Sequence, residues 1–145
     1  MTDTRITFNT AKLAKAKKFS IGSKYSIIEY LSDFVYDNDP NHRESHKTGE
    51  LRSSEFFNKN NDANIDLSNN HYRVYEQPTQ TILQKWLREV HFIHIGINRD
   101  EDKWKYELYT FHDGNKHVPR GFTNYKSYEE ALEIGLQEAL SLIKD

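Results

Sequence analysis

The chain has 145 residues, of which 36% are hydrophobic and 13% aromatic, with 20 Lys and Arg against 22 Asp and Glu and no cysteine. That length suits one domain with a small, aromatic-rich core, and the even charge argues against a strongly basic nucleic-acid binder and against an acidic DNA mimic. Without cysteine there are no disulfides, thiolate catalysis or Cys-based zinc sites, and no stretch approaches the ~20 apolar residues of a membrane span.

The start of the chain, Met1 to Arg5, holds no apolar signal core, so the expected location is the cytoplasm. Residues 7–18 are rich in Ala, Leu and Lys and predict a helix. Thr7 or Asn9 can cap it, and Phe8 can fold back on Leu13 as a hydrophobic staple. Lys17 and Lys18 stand near its C-terminal end, where the helix dipole favours cations. Residues 24–36 are compatible with two structures. Ile27, Ile28, Leu31, Phe34 and Val35 fit a helical face, while their β-branched and aromatic character fits a strand or a hairpin around Glu29. The tract from about 37 to 70 is polar and Asn-rich, a long insertion with Leu51, Phe56 and Phe57 as its anchors.

The second half is clearer. His71 to Tyr75 reads as a short strand, with Tyr72 and Val74 on one face. Pro78 suits a first helical turn. A helix over 79–90 carries Ile82, Leu83, Trp86, Leu87 and Val90 on one stripe, with Gln80, Gln84, Lys85 and Arg88 facing out. Strand 92–98 places Ile93, Ile95 and Ile97 together, and strand 103–111 places Trp104, Tyr106 and Leu108 together. A charged turn at 98–102 joins them as an antiparallel hairpin. Val118, Phe122 and Tyr125 belong to a short third strand or an ordered loop. Ser127 caps a last helix, with Glu130 completing a capping box. Its buried stripe is Tyr128, Leu132, Gly135, Leu136, Ala139, Leu142 and Ile143. Gly135 costs about 1 kcal/mol against Ala in a helix, so its use on a packing face is close approach to another element. The fold class that results is α+β: a small antiparallel sheet packed against helices, in a single domain with the polar insertion.

No constellation of residues spells a reaction. His91 and His94 straddle a helix–strand boundary, and a metal site there needs a third ligand from His71, His112 or His117. His42 and His46 lie in the polar tract as exposed side chains. The carboxylate pairs Glu29 with Asp33, Asp100 with Asp102 and Glu129 with Glu133 read as solvated, outside any apolar cleft that raises a pKa. There is neither a nucleophile elbow nor a phosphate-cradling glycine loop. The expectation is no cofactor, no metal and no catalytic residue, with a small enzyme ranking third among the functions. The alternation of the hairpin leaves His94, Gly96, Tyr109 and Phe111 on a face opposite the first helix-covered set. Tyr109 and Phe111, flanked by Arg73 and Arg88 and joined by His94, form a candidate surface for a protein partner or a homodimer. The other reading of that face is a core covered by the N-terminal helix. Nucleic-acid binding ranks second, from Arg73, Lys85, Arg88, Lys103, Lys105, Lys116 and Arg120 interleaved with Tyr75, Trp104, Tyr106 and Tyr109.

Three segments carry a resemblance. The stretch Tyr75 to Ile95, with Pro78, Thr79, Gln80, Leu83, Gln84, Lys85, Trp86, Leu87, Arg88 and Glu89 at its centre, is similar to one in a group of short, uncharacterised Bacteroidetes phage and prophage proteins. Phe8 to Lys15 and Tyr128 to Leu140 resemble the same group, and the polar middle does not. The resemblance implies a phage or mobile-element setting, hence the cytoplasm of a host cell, and no assigned activity. Small proteins in such settings often bind a host or phage protein, sometimes to block an antiviral defence.

Overall fold

The structure is a computed structural model that describes residues 4–31, 34–35, 45–54, 72–111 and 120–144. Contacts within the chain gather in two compact units, whereas composition suggests one domain carrying an insertion. One unit is Ser20–Gln77, and the other combines Met1–Phe19 with Pro78–Asp145. The polar tract, with Phe56, Phe57 and His42, lies largely outside the described residues.

In the discontinuous unit, helix α1 spans Phe8–Ala16. Thr7 is its cap, its hydroxyl accepting from the Thr10 N–H. Phe8 therefore lies inside the first turn with Lys12 over its ring, and not before the cap, where a staple residue stands. The residue before the cap, Ile6, is fully buried instead. Thr4 to Ile6 runs beside 78–80: Ile6 N–H donates to Pro78 O at 3.1 Å and Gln80 N–H to Thr4 O at 2.7 Å. Pro78 thus precedes the next helix, and Thr79 caps it.

That helix, α2, spans Gln80–His91. Leu83 and Leu87 are buried to 0% exposure, but Ile82 and Val90 are exposed and Trp86 is half-buried. The stripe that meets β6 (Ile93–Asp100) and the last helix is narrower than the hydrophobic pattern implies. Gln80, expected to face out, is buried, and Gln84 donates to Ile95 O at 2.9 Å. The Gln84 bond occupies a carbonyl of an edge strand, one way in which a sheet edge is blunted.

β6 pairs antiparallel with β7 (Lys103–Thr110) in the register Ile93↔Thr110 through Asp100↔Lys103. The turn is tighter than the expected 98–102, closing at Glu101 and Asp102 with Glu101 at φ 57°. β8 (Arg120–Tyr125) joins the other edge of β7, which resolves 118–125 as containing a strand. Helix α3 spans Tyr128–Ser141 and packs on all three strands of this sheet and on both other described helices. Ser127 caps it through the Glu130 N–H at 3.1 Å. Glu130 Oε2 accepts from Lys126 N–H rather than from the cap residue. Leu132, Leu136, Ala139 and Leu140 are buried, whereas Tyr128 is exposed, its ring edge-on to Trp104 at 5.7 Å.

Gly135 does what its position on the packing face suggests. A Cβ there would stand 3.1 Å from Ile95 Cγ2 and 3.3 Å from Tyr106 Cβ. Both neighbours are buried, and each would have to shift by a few tenths of an ångström to admit it. Gly135→Ala gains about 1 kcal/mol of helix propensity and loses about 1–3 kcal/mol to overpacking. The expected result is a lower urea midpoint, and a raised midpoint would show that the sheet can move away.

In the second unit, residues 26–30 form a strand, β1 (Ser26–Tyr30), which settles the helix–strand ambiguity of 24–36 for that stretch. It lies between β4 (Leu51–Ser54) and β5 (Tyr72–Glu76), antiparallel to both. Ile28, Tyr30 and Val74 form its core, with Tyr72 packed against them. A strand flanked on both edges and buried at four of five positions loses the alternation that identifies half-buried strands. A separate two-residue pair joins β2 (Phe34–Val35) to β3 (Ser45–His46).

Candidate functional site

Pairing Ile93 with Thr110, Ile95 with Leu108 and Ile97 with Tyr106 sends one set of side chains toward α3. The alternate set occupies the opposite face of the same sheet. On it His94 stands across from Tyr109, with ring centroids 6.3 Å apart, and Gly96 stands across from Glu107. The Tyr109 ring leans over Gly96, where a Cβ would meet its Cε2 at 3.7 Å, and its hydroxyl donates to Glu107. This bond raises the Tyr109 pKa and lowers that of Glu107. Lys105 pairs with Glu107 at 3.5 Å, so this part of the face is close to neutral.

At the end of the hairpin, Phe111 N–H donates to Phe92 O at 3.1 Å. Phe111 is 48% exposed and Phe92 is 59% exposed. Phe92 is also the C-cap of α2, in the left-handed region at φ 58°, ψ 35°. Sequence pattern assigns Phe92 only to a strand, because left-handed caps are normally announced by Gly or Asn. The candidate residues are distributed as follows. His94, Tyr109 and Phe111 share the sheet face opposite α3, Tyr109 and His94 half-buried and Phe111 exposed. Arg88 is exposed on the last turn of α2. Arg73 is exposed on β5, in the other unit, opposite Glu29. Helix α1 packs on α3.

Glu133 departs most from expectation. Read as a solvated carboxylate, it is 8% exposed. Its Oε2 accepts from the Thr7 N–H and the Thr7 hydroxyl, each at 2.9 Å, and from the Thr10 hydroxyl. Its Oε1 accepts from Gln80 Nε2 at 2.9 Å, and Gln137 Nε2 donates to the Thr10 hydroxyl at 3.0 Å. The carboxylate ties the three described helices together. Four donors already converge on it, so it is suited to clamping and poorly placed to take a substrate proton. A signal was present: Leu136 and Leu140 lie three and seven residues beyond Glu133, a spacing that puts all three on one face.

Two other arrangements are satisfied internally. Ile21 N–H and Ser23 N–H both donate to the Glu76 carboxylate, the latter at 2.6 Å, across Gly22 at φ 72°. Such a nest can hold an anion, and here Glu76 fills it. Tyr75 donates to Glu29 at 3.0 Å; burial and that carboxylate raise the tyrosine pKa.

No protein-family model matches the chain, and no curated protein or solved structure is significantly similar to it.

The histidines also separate. His91 sits edge-on to Trp86 at 4.6 Å, while His94 sits by Tyr109. Among the described residues no three His, Asp or Glu side chains gather as a metal-binding group. No helix among them is long and apolar enough to cross a membrane.

Proposed function

We propose that this chain is a non-catalytic binding protein that docks a protein partner on the open face of the β6–β7 hairpin, at the end marked by Phe92 and Phe111. Phe92 carries the reading. A bulky side chain in the left-handed region costs about 1–2 kcal/mol, and this ring is 59% exposed and recovers little of that by burial. Strain of this kind clusters at functional sites. Phe111 beside it, with Tyr109 and His94 on the next rung, extends the aromatic surface that interfaces favour. A protein partner, including a second copy of the chain, suits this face better than nucleic acid. Lys105 is paired with Glu107, so this face offers phosphate little unbalanced positive charge. The resemblance to small phage and prophage proteins supports an accessory role inside a host cell, against a host defence or phage factor.

Phe92→Gly separates the two uses of the residue. Relief of the left-handed strain is expected to leave the melting temperature unchanged or raise it by roughly 3 °C. A photo-crosslinker at position 111 in producing cells is expected to yield one discrete protein adduct, or a dimer, that Phe92→Gly abolishes. An adduct that survives the substitution, or none at all, would reject this surface. An adduct destroyed by nuclease would replace the protein partner with nucleic acid.

A further inference from the structure

The three described helices direct their C-terminal ends into one cleft of about 490 Å³, within the range of small-molecule sites. Lys17 and Lys18 come from the end of α1, Trp86, Val90 and His91 from the last turns of α2, and Lys144 from beyond α3. The wall is mostly apolar. Trp86 is held edge-on by Phe19 at 5.0 Å and by His91 at 4.6 Å, so its indole is a fixed platform. Val90, 52% exposed, contributes an apolar side chain that the core does not use.

Electrostatics decides what such a cleft would take. Each helix C-terminus carries roughly half a negative charge, so three contribute roughly −1.5. The three ammonium groups outweigh this. One of them, Lys17, also caps the end of α3 by donating to Ile143 O at 2.7 Å. His91 adds no charge near neutral pH, since burial lowers its pKa. The balance among the described lining residues is a modest positive excess over an aromatic and aliphatic floor. A polyphosphate would exceed that excess, and a neutral ligand would leave it unused.

We propose that this cleft binds a small organic monoanion with a flat apolar body, of the aromatic carboxylate class. The body lies against Trp86 and Val90, and the carboxylate faces Lys18 and Lys144.

The test titrates the full chain with 2-naphthoate and, in parallel, with neutral 2-naphthamide, observed by NMR at the indole N–H groups of Trp86 and Trp104 and at the His91 ring. Naphthoate is expected to shift Trp86 and His91 saturably, with a dissociation constant on the order of 1 mM or tighter, and to leave Trp104 in place. The amide is expected to bind about 5-fold more weakly, the worth of two partly exposed ion pairs. The double variant Lys18→Asn, Lys144→Gln should show the same loss with an unchanged unfolding midpoint, because Asn tolerates the left-handed backbone of Lys18 at φ 67°. Val90→Glu, which places a carboxylate in the cleft, should abolish binding. Equal affinity for acid and amide would overturn the proposal. So would an unsaturable shift, an equal response at Trp104, or indifference to the lysine variant.

Discussion

Tyr106→Ala is expected to cost about 3–5 kcal/mol, a large part of the stability of a domain of this size. The ring is 2% exposed and lies at the centre of the sheet, with Leu108 two residues on and α3 above it. Its Cβ and Cδ2 are the atoms that Gly135 approaches, so the helix cannot settle further to fill the space left behind. A cavity that cannot collapse carries the upper end of the penalty. Tyr106→Phe should cost far less and serves as the control. Chemical denaturation reads both; a loss below about 1.5 kcal/mol for the alanine variant would mean that the core relaxes freely.

The second large effect is at Glu133. Replacing it by alanine removes the acceptor for four donors, two of them on the buried side chains of Thr10 and Gln80. A buried group left without its partner costs about 1–3 kcal/mol, and several share this one, so the expected loss is about 3 kcal/mol. Glu133→Gln keeps the shape and one carbonyl. The Thr hydroxyls can turn to accept from its amide, but the Thr7 N–H cannot, and roughly half the loss should remain. If alanine and glutamine are both neutral in urea unfolding, water has replaced the clamp.

The contrast between these two residues shows how far sequence reading reaches. Tyr106 was legible because strand alternation is local: it shares a face with Trp104 and Leu108 whatever surrounds the hairpin. The α+β class, the hairpin, the Ser127 cap and the close approach at Gly135 follow from patterns of the same local kind. Glu133 was hidden because its donors Thr7 and Thr10 lie 126 and 123 residues away in the chain. Helical stripes mislead in the opposite direction. Ile82, Val90 and Tyr128 continue apolar patterns and yet are exposed, because α2 and α3 each meet their neighbours along part of that width. Trp86, expected at the centre of its stripe, is half-buried against Phe19 and His91, so truncating it should cost less than truncating Tyr106. For the candidate surface, alternation separated His94, Tyr109 and Phe111 from the covered side. Phe92 escaped because its backbone conformation is one that its side chain does not announce.

The discontinuity of the larger unit constrains the order in which the chain can assemble. Helix α1 is made early, yet the helix it rests on and the carboxylate that caps Thr7 arrive more than a hundred residues later. Between the two, the sheet of the inserted unit has all its strands in hand, and its pairings span shorter stretches of chain. Loop closure favours the nearer contacts. On the ribosome α1 must therefore wait as a short, marginal helix while its neighbour in sequence becomes structured, and it docks only when the final helix emerges.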